Sequence, residues 1–371
     1  MQVDIVSSRG KVAVQRFSTK NPVFVCVISH TATSEIPGLT IAGANPELVQ
    51  YTPAADAEFL YYGSCKCISF VPATPDGKPT PAVITRAALR HSGIPAFVVD
   101  AGAKVKPSMP LISMNVDPGR NIAFANAMDL STVHREFEYG VLIGMQLGQL
   151  SDLVVVGESI PGGTTTALAV LTALGFDAKF KVSSSMPENP HELKNRVVAS
   201  AIARAGATPG GIDSPLKAIS FLGDPMMPAV AGIAEGAMSA GVKVMLAGGT
   251  QMTAVLAILK LLNRPLTRLC IGTTSYVTKD TSSDLNGLVG QIAPQVPVLS
   301  CNLHLDESGK PGLQAFAAGF VKEGVGAGGV SLAAMLKSKK VTGRKLLKAI
   351  EKEYETSIEA PRTSNVSLSH P

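Results

Sequence analysis

The chain of 371 residues has no tryptophan, and phenylalanine and tyrosine bring its aromatic content to only 5%. Single-stranded nucleic-acid sites stack bases on rings, so this scarcity argues against a nucleic-acid partner. Cysteine is sparse as well. Cys26, Cys65, Cys67, Cys270 and Cys301 are an odd, scattered set without a Cys-x-x-Cys pair, which excludes a disulfide framework or zinc ribbon and points to a reducing compartment. Cys65 and Cys67 are expected to alternate on a strand over residues 61–70 rather than to hold metal. The six histidines form no cluster with Asp, so no metal is expected, and His304 reads as a satisfied core or edge residue. Every apolar run is broken by Glu235, Lys243 or glycines before membrane-span length, and no secretory apolar segment opens the chain. These absences lead us to expect a soluble cytoplasmic protein with no membrane partner.

What the chain has is 46% hydrophobic residues and a mild net charge of +5. Part of that charge lies in Lys337, Lys339, Lys340, Arg344 and Lys345, read as a solvated helix face. From about residue 22 to 303, strands are expected to alternate with helices. The strands are 23–28, 96–99, 153–156, 242–246, 269–271 and 298–302; the helices are 82–91, 131–147, 165–174, 229–240 and 252–262. Ser131 would cap the second helix, with Glu136 and Glu138 near its favourable end. This order predicts an α/β fold, a doubly wound, mainly parallel sheet with helices on both faces, Rossmann-like, plus a small helical portion from the chain ends. Residues 1–335 are expected to form the α/β domain, with 336–371 a charged C-terminal helix and, from residue 360, a disordered tail.

The most informative segments are two Gly/Thr turns at the ends of apolar strands. One runs Gly157-Glu158-Ser159-Ile160-Pro161-Gly162-Gly163-Thr164-Thr165, the other Ala247-Gly248-Gly249-Thr250. Glycines let backbone N–H groups approach a ligand, and each turn opens a helix whose positive end favours an anion. Two such turns suggest one phosphorylated small molecule held between them. The first is not a P-loop, for no Lys precedes its threonines, and it is not Gly-x-Gly-x-x-Gly, so a dinucleotide cofactor has little support. Glu158 stands at the carboxyl end of its strand, where ligands of open α/β sheets bind. As plain turn residues, the glycines and Glu158 would serve only the helix dipole.

A third glycine-rich segment, Lys322-Glu323-Gly324-Val325-Gly326-Ala327-Gly328-Gly329, sets one carboxylate among residues with almost no side chain. Burial there would raise its pKa toward that of a useful general base, and small neighbours would admit a flat ring. Glu323 is therefore the catalytic candidate; otherwise it is a surface residue at a helix junction.

In these segments the chain resembles the nicotinate-nucleotide:dimethylbenzimidazole phosphoribosyltransferase family of cobamide assembly, in its divergent archaeal and cyanobacterial (UPF0284-like) branch. The resemblance is collinear from Ile28 to about Leu336 and is carried by Gly119-Arg120-Asn121-Ile122-Ala123, Gly157-Glu158 with Gly163-Thr164-Thr165, Lys194 with Val197-Val198, and Glu323-Gly324-x-Gly326-Ala327. It implies transfer of the 5-phosphoribosyl group from nicotinate mononucleotide to a benzimidazole-like or purine base, with inversion at the anomeric carbon and no cofactor. Glu323 would take the proton of the incoming ring and Glu158 would stabilise the oxocarbenium-like ribose. The phosphate would lie on Gly162, Gly163, Thr164, Thr165, Gly248, Gly249 and Thr250 with Lys194 as counter-charge. Glu35, Gly324 and Gly326 would meet the acceptor base. The resemblance also implies a homodimer.

Two positions depart from the family pattern: Ala247-Gly248 replaces its Asp-Gly, and His30-Thr31 its His-Gly. These departures put the acceptor base in doubt. Two rivals stay open at this point, another phosphoribosyl or nucleotide-base transferase on the same phosphate site, and a non-catalytic nucleotide-binding or regulatory protein.

Overall fold

Eight strands build one sheet in a computed structural model that describes residues 4–360. They are β1 (Ile5–Ser7), β2 (Pro22–Ile28), β3 (Ala96–Asp100), β4 (Ile112–Ser113), β5 (Leu153–Ser159), β6 (Lys243–Ala247), β7 (Leu269–Thr274) and β8 (Val298–Cys301). Their order is β1-β8-β7-β6-β5-β2-β3-β4, parallel throughout except for β1 on the edge. The chain builds outward from β2 to β3 and β4, then returns to β5 and continues through β8 on the other side. The order therefore reverses between β2 and β5, and crevices at such switch points open at the carboxyl ends of the strands.

Alternation on β2 separates two cores. Val23, Val25 and Val27 pack with the helices Leu130–Leu150, Gly163–Ala173, Met226–Ser239 and Met252–Leu261, while Phe24, Cys26 and Ile28 pack with Ala82–Ser92 and Ala327–Lys337. All seven residues of β2 and of β5 are buried, and each large apolar side chain so placed contributes roughly 1.5–3 kcal/mol relative to exposure. The doubly wound α/β expectation is what the chain adopts. The helix Gly343–Tyr354 joins the second core through Leu346, Leu347 and Ile350. Its Glu353 accepts from Arg86 Nε at 2.7 Å. Residues 361–371, the greater part of the expected tail, lie outside the described residues.

Several local expectations are corrected. Residues 61–70 form no strand: the helix Thr52–Tyr62 runs into them, and Glu58 Oε2 takes the N–H groups of Lys66 and Cys67 at 2.5 and 2.9 Å, so a side chain satisfies backbone that would otherwise seek a neighbouring strand. Ser131 is not a cap, because the long helix starts at Leu130 after Asp129. Glu136 is fully buried rather than lying along the helix end, and burial pushes its carboxyl well above the usual range. β5 runs to Ser159 instead of ending at Val156, since Gly157, Glu158 and Ser159 still pair with Cys26, Val27 and Ile28. No helix among the described residues is long and apolar enough to cross a membrane.

Candidate active site

A cavity of about 980 Å³, counting its open mouth, lies at the carboxyl ends of β5 and β6. Both Gly/Thr turns line it, through Gly162, Gly163 and Thr164 on one side and Gly249 and Thr250 on the other. Gly162 has φ of 78° and stands where a Cβ would meet Ser34 at 2.9–3.0 Å, so glycine is required by conformation and by space. The helix that follows starts at Gly163; Thr165 N donates to Gly162 O at 2.9 Å, while the N–H groups of Gly163 and Thr164 precede the first intrahelical bond. At the second turn, Thr250 is not a cap: its Oγ1 accepts from Ser183 N at 2.8 Å and fastens a row of three serines, Ser183, Ser184 and Ser185, to the cavity wall.

Glu323 closes the cavity from the side of the third glycine segment. Its Oε1 accepts from the N–H groups of Gly324 (3.2 Å) and Gly328 (3.0 Å), and its Oε2 from Thr274 N (3.0 Å) and Thr273 Oγ1 (3.1 Å). The residue keeps partial solvent access, yet the enclosure of its carboxyl pushes the pKa up to about 7 against the pull of those four donors. At neutral pH such a group is poised between accepting and holding a proton. Glu158 also lines the cavity, its Oε2 accepting from Ile160 N at 3.0 Å, and burial holds its pKa well above the carboxylate range, with the nearby charges of Asp224 and Glu323 adding to the effect. Burial in this position therefore favours the protonated form of Glu158 over the carboxylate.

Other candidates are placed elsewhere. Lys194 does not line the cavity: it is fully buried behind the serines, donating to Ser183 O at 2.6 Å and Asn189 Oδ1 at 3.1 Å, and burial pushes its pKa down to about 7. It props the cavity wall instead of facing an anion. Gly248 is tied to β7 by its N–H to Gly272 O, and Thr165 is fully buried. Glu35 pairs with Lys104 at 2.9 Å and His30 at 3.3 Å, outside the lining residues. The segment that follows β2 reaches the cavity instead through residues 39–43. Gly326 offers no room for a ring, because a Cβ there would meet Phe24 at 2.6 Å, and Gly328 lies against Thr273 and Thr274. Of the residues expected to meet an acceptor base, Gly324 alone lines the cavity. His304 is satisfied by Asp4 and Glu307, at 2.9 and 3.1 Å.

Three lining features escape the sequence. Lys322 pairs with Asp280 at 2.9 Å, both largely buried, and brings a cation to the cavity; it stands next to Glu323 in the quoted motif, but nothing in the pattern marks it. The serine row carries no motif. Asp56, 3% exposed, accepts from Thr80 Oγ1 and Ser159 Oγ, each at 2.7 Å, and burial pushes its pKa up to about 6. Its one signal is a charge within the run Ala54-Ala55-Asp56-Ala57.

The profile of a family described as "Phosphoribosyltransferase" matches residues 81–308. A UPF0284 protein of Archaeoglobus fulgidus is 48% identical over 332 residues, covering 90% of this chain and 93% of that protein. One from Methanothermobacter thermautotrophicus is 45% identical over 323 residues, covering 85% and 88%. The crystal structure of a nicotinate-nucleotide-dimethylbenzimidazole phosphoribosyltransferase from Thermus thermophilus superposes with a TM-score of 0.61 over 94% of this chain and 90% of that one, at 18% identity, and so shares the fold. With a profile match spanning more than half its length and close relatives along nearly all of it, the chain belongs to the phosphoribosyltransferase family, among its UPF0284 proteins.

Proposed function

We propose that this chain transfers the 5-phosphoribosyl group of nicotinate mononucleotide to an aromatic nitrogen base, as a step in assembling the lower ligand of a cobamide. The observation that carries the reading is the convergence of Glu323, Glu158 and both glycine turns on one cavity. The phosphate lies against the backbone N–H groups of Gly163, Thr164 and Gly249, with the serine hydroxyls and the Lys322 ammonium beside it. The bond from the anomeric carbon to the pyridinium nitrogen breaks, its electron pair leaving with nicotinate. A ring nitrogen of the acceptor forms the new bond, and its N–H proton passes to Glu323. Positive charge developing on the ribose is drawn to the carboxyl oxygens of Glu158, an attraction that strengthens toward the transition state without any proton leaving that residue. The mononucleotide and the base are the only substrates this scheme requires.

We assign the expected homodimer interface to the outer face of the helix Leu130–Leu150, where Tyr139, Leu142, Met145 and Leu150 are exposed, together with Phe124. Incubation of the purified chain with nicotinate mononucleotide and a panel of benzimidazoles and purines, followed by mass spectrometry, tests the reaction. The expected product is a base ribotide appearing with nicotinate. Binding of the mononucleotide without product from any base would favour a non-catalytic role.

A further inference from the structure

Asp56 is a buried charge that the proposed transfer leaves unused. It stands on the helix Thr52–Tyr62, 3% exposed, and no ion pair compensates it among the described residues; two hydroxyls are its partners. A buried carboxylate held by two neutral donors is costly unless something else reaches it. Each of its oxygens keeps a further lone pair, and the residue lines the cavity.

Its neighbours say which part of the cavity it serves. Thr80, which donates to Oδ1, is flanked by Pro79 and Pro81, both lining residues. Pro81 in turn lies 3.4 Å from where a Cβ on Gly324 would be, next to Glu323. Ser159, which donates to Oδ2, follows Glu158. Asp56 thus stands on Thr80, beside the Pro81 that faces Gly324, and on Ser159, the residue after Glu158; flat proline walls suited to a planar ring lie next to it, while the serine row and the glycine turns serve the phosphate. A wholly apolar acceptor would leave this carboxylate without a partner and would itself lie against a charge.

We propose that Asp56 selects acceptor bases that carry a second hydrogen-bond donor, an exocyclic amine or hydroxyl, besides the ring N–H given to Glu323. The assignment of the ring to this side rests on the transferase reading, but selection is a binding property and is measured without turnover.

The probes are 5-aminobenzimidazole and 5-methylbenzimidazole, nearly equal in size and differing in the donor. Calorimetric titration of the full chain, with and without nicotinate mononucleotide, is expected to show the amine bound about 10- to 100-fold more tightly, the range for one hydrogen bond to a charged acceptor. In D56N the two bases are expected within about threefold of each other. Equal affinities in the wild-type chain, a preference that survives in D56N, or no binding of either base would overturn the proposal; the wild-type ratio alone decides if the variant does not fold. A clear preference for the amine with no ribotide formed from either base would support selection by Asp56 while contradicting the transferase reading.

Discussion

The N–H of Gly328 donates to Glu323 Oε1 at 3.0 Å at a point where a Cβ on Gly328 would lie 2.1 Å from the carbonyl carbon of Thr273. The same glycine thus lets the helix Ala327–Lys337 press onto β7 and holds the carboxylate that faces the cavity. Glycines repeat this service elsewhere, as at Gly144, where a Cβ would lie 2.1 Å from Ile233 O between the helices Leu130–Leu150 and Met226–Ser239. At Gly328 close packing also sets a candidate catalytic group.

It follows that G328A should harm both stability and chemistry. Overpacking against rigid backbone costs about 1–3 kcal/mol or more, and displacement of the helix start moves a donor away from Glu323. Urea denaturation is expected to show a lower midpoint. Turnover measured well below that midpoint should fall by more than the folded fraction accounts for, and a loss matching the folded fraction alone would separate the two roles.

Gly249 is the contrasting case, since a Cβ there meets nothing nearer than Ser183 Oγ at 3.5 Å. G249V should therefore fold with a melting temperature near that of the parent while filling the space beside the second turn. Nicotinate mononucleotide is expected to bind at least about tenfold more weakly by calorimetry, a loss of roughly 1.4 kcal/mol. Unchanged affinity would remove the second turn from the phosphate site.

Beneath the first turn, Thr166 Oγ1 lies within hydrogen-bond reach of Gly163 O and of Asp224 Oδ2, and burial pushes the Asp224 pKa up to about 7. A carboxyl raised in the folded state stabilises it below its unfolded pKa near 3.9, and that contribution is lost as pH rises toward about 7. D224N mimics the protonated form. The stability of D224N relative to the wild-type chain should therefore grow between pH 4 and pH 8, by at most a few kcal/mol at about 1.4 for each tenfold change in proton affinity. Parallel pH profiles for the two proteins would show that Asp224 is not raised.

The exposed apolar face of the helix Leu130–Leu150 gives a test of assembly. Leu142 is 60% exposed, and the opposite side of its helix is committed to Met226–Ser239. Sedimentation equilibrium is expected to give twice the chain mass for the wild-type protein and the chain mass for L142E. A wild-type monomer would contradict the homodimer.

The central sheet was legible in sequence because β2 and β5 are buried along their whole length and read as largely apolar runs. Glu323 stood out for lack of side chains around it. Asp56 did not, because its helix is buried on all sides from Pro53 to Leu60 and shows no apolar stripe to separate from a loop. Lys194 carried the expected charge but not the expected direction, which is set by Ser183 O and Asn189, outside its own helix and its periodicity. The glycines after Glu323 read as space for a ligand, whereas Phe24, Gly157 and Thr273 occupy that space; sequence shows where side chains are missing, not what fills the gap.

The most direct test is the single-turnover rate of ribotide formation from nicotinate mononucleotide and saturating 5,6-dimethylbenzimidazole at pH 8, for the wild-type chain and E323Q, with melting temperatures recorded for both. The wild-type chain should form the ribotide with release of nicotinate, and E323Q, with its proton acceptor gone, should be slower by about 10²-fold or more while still binding the mononucleotide. A folded E323Q variant that forms ribotide within threefold of the wild-type rate would contradict the account.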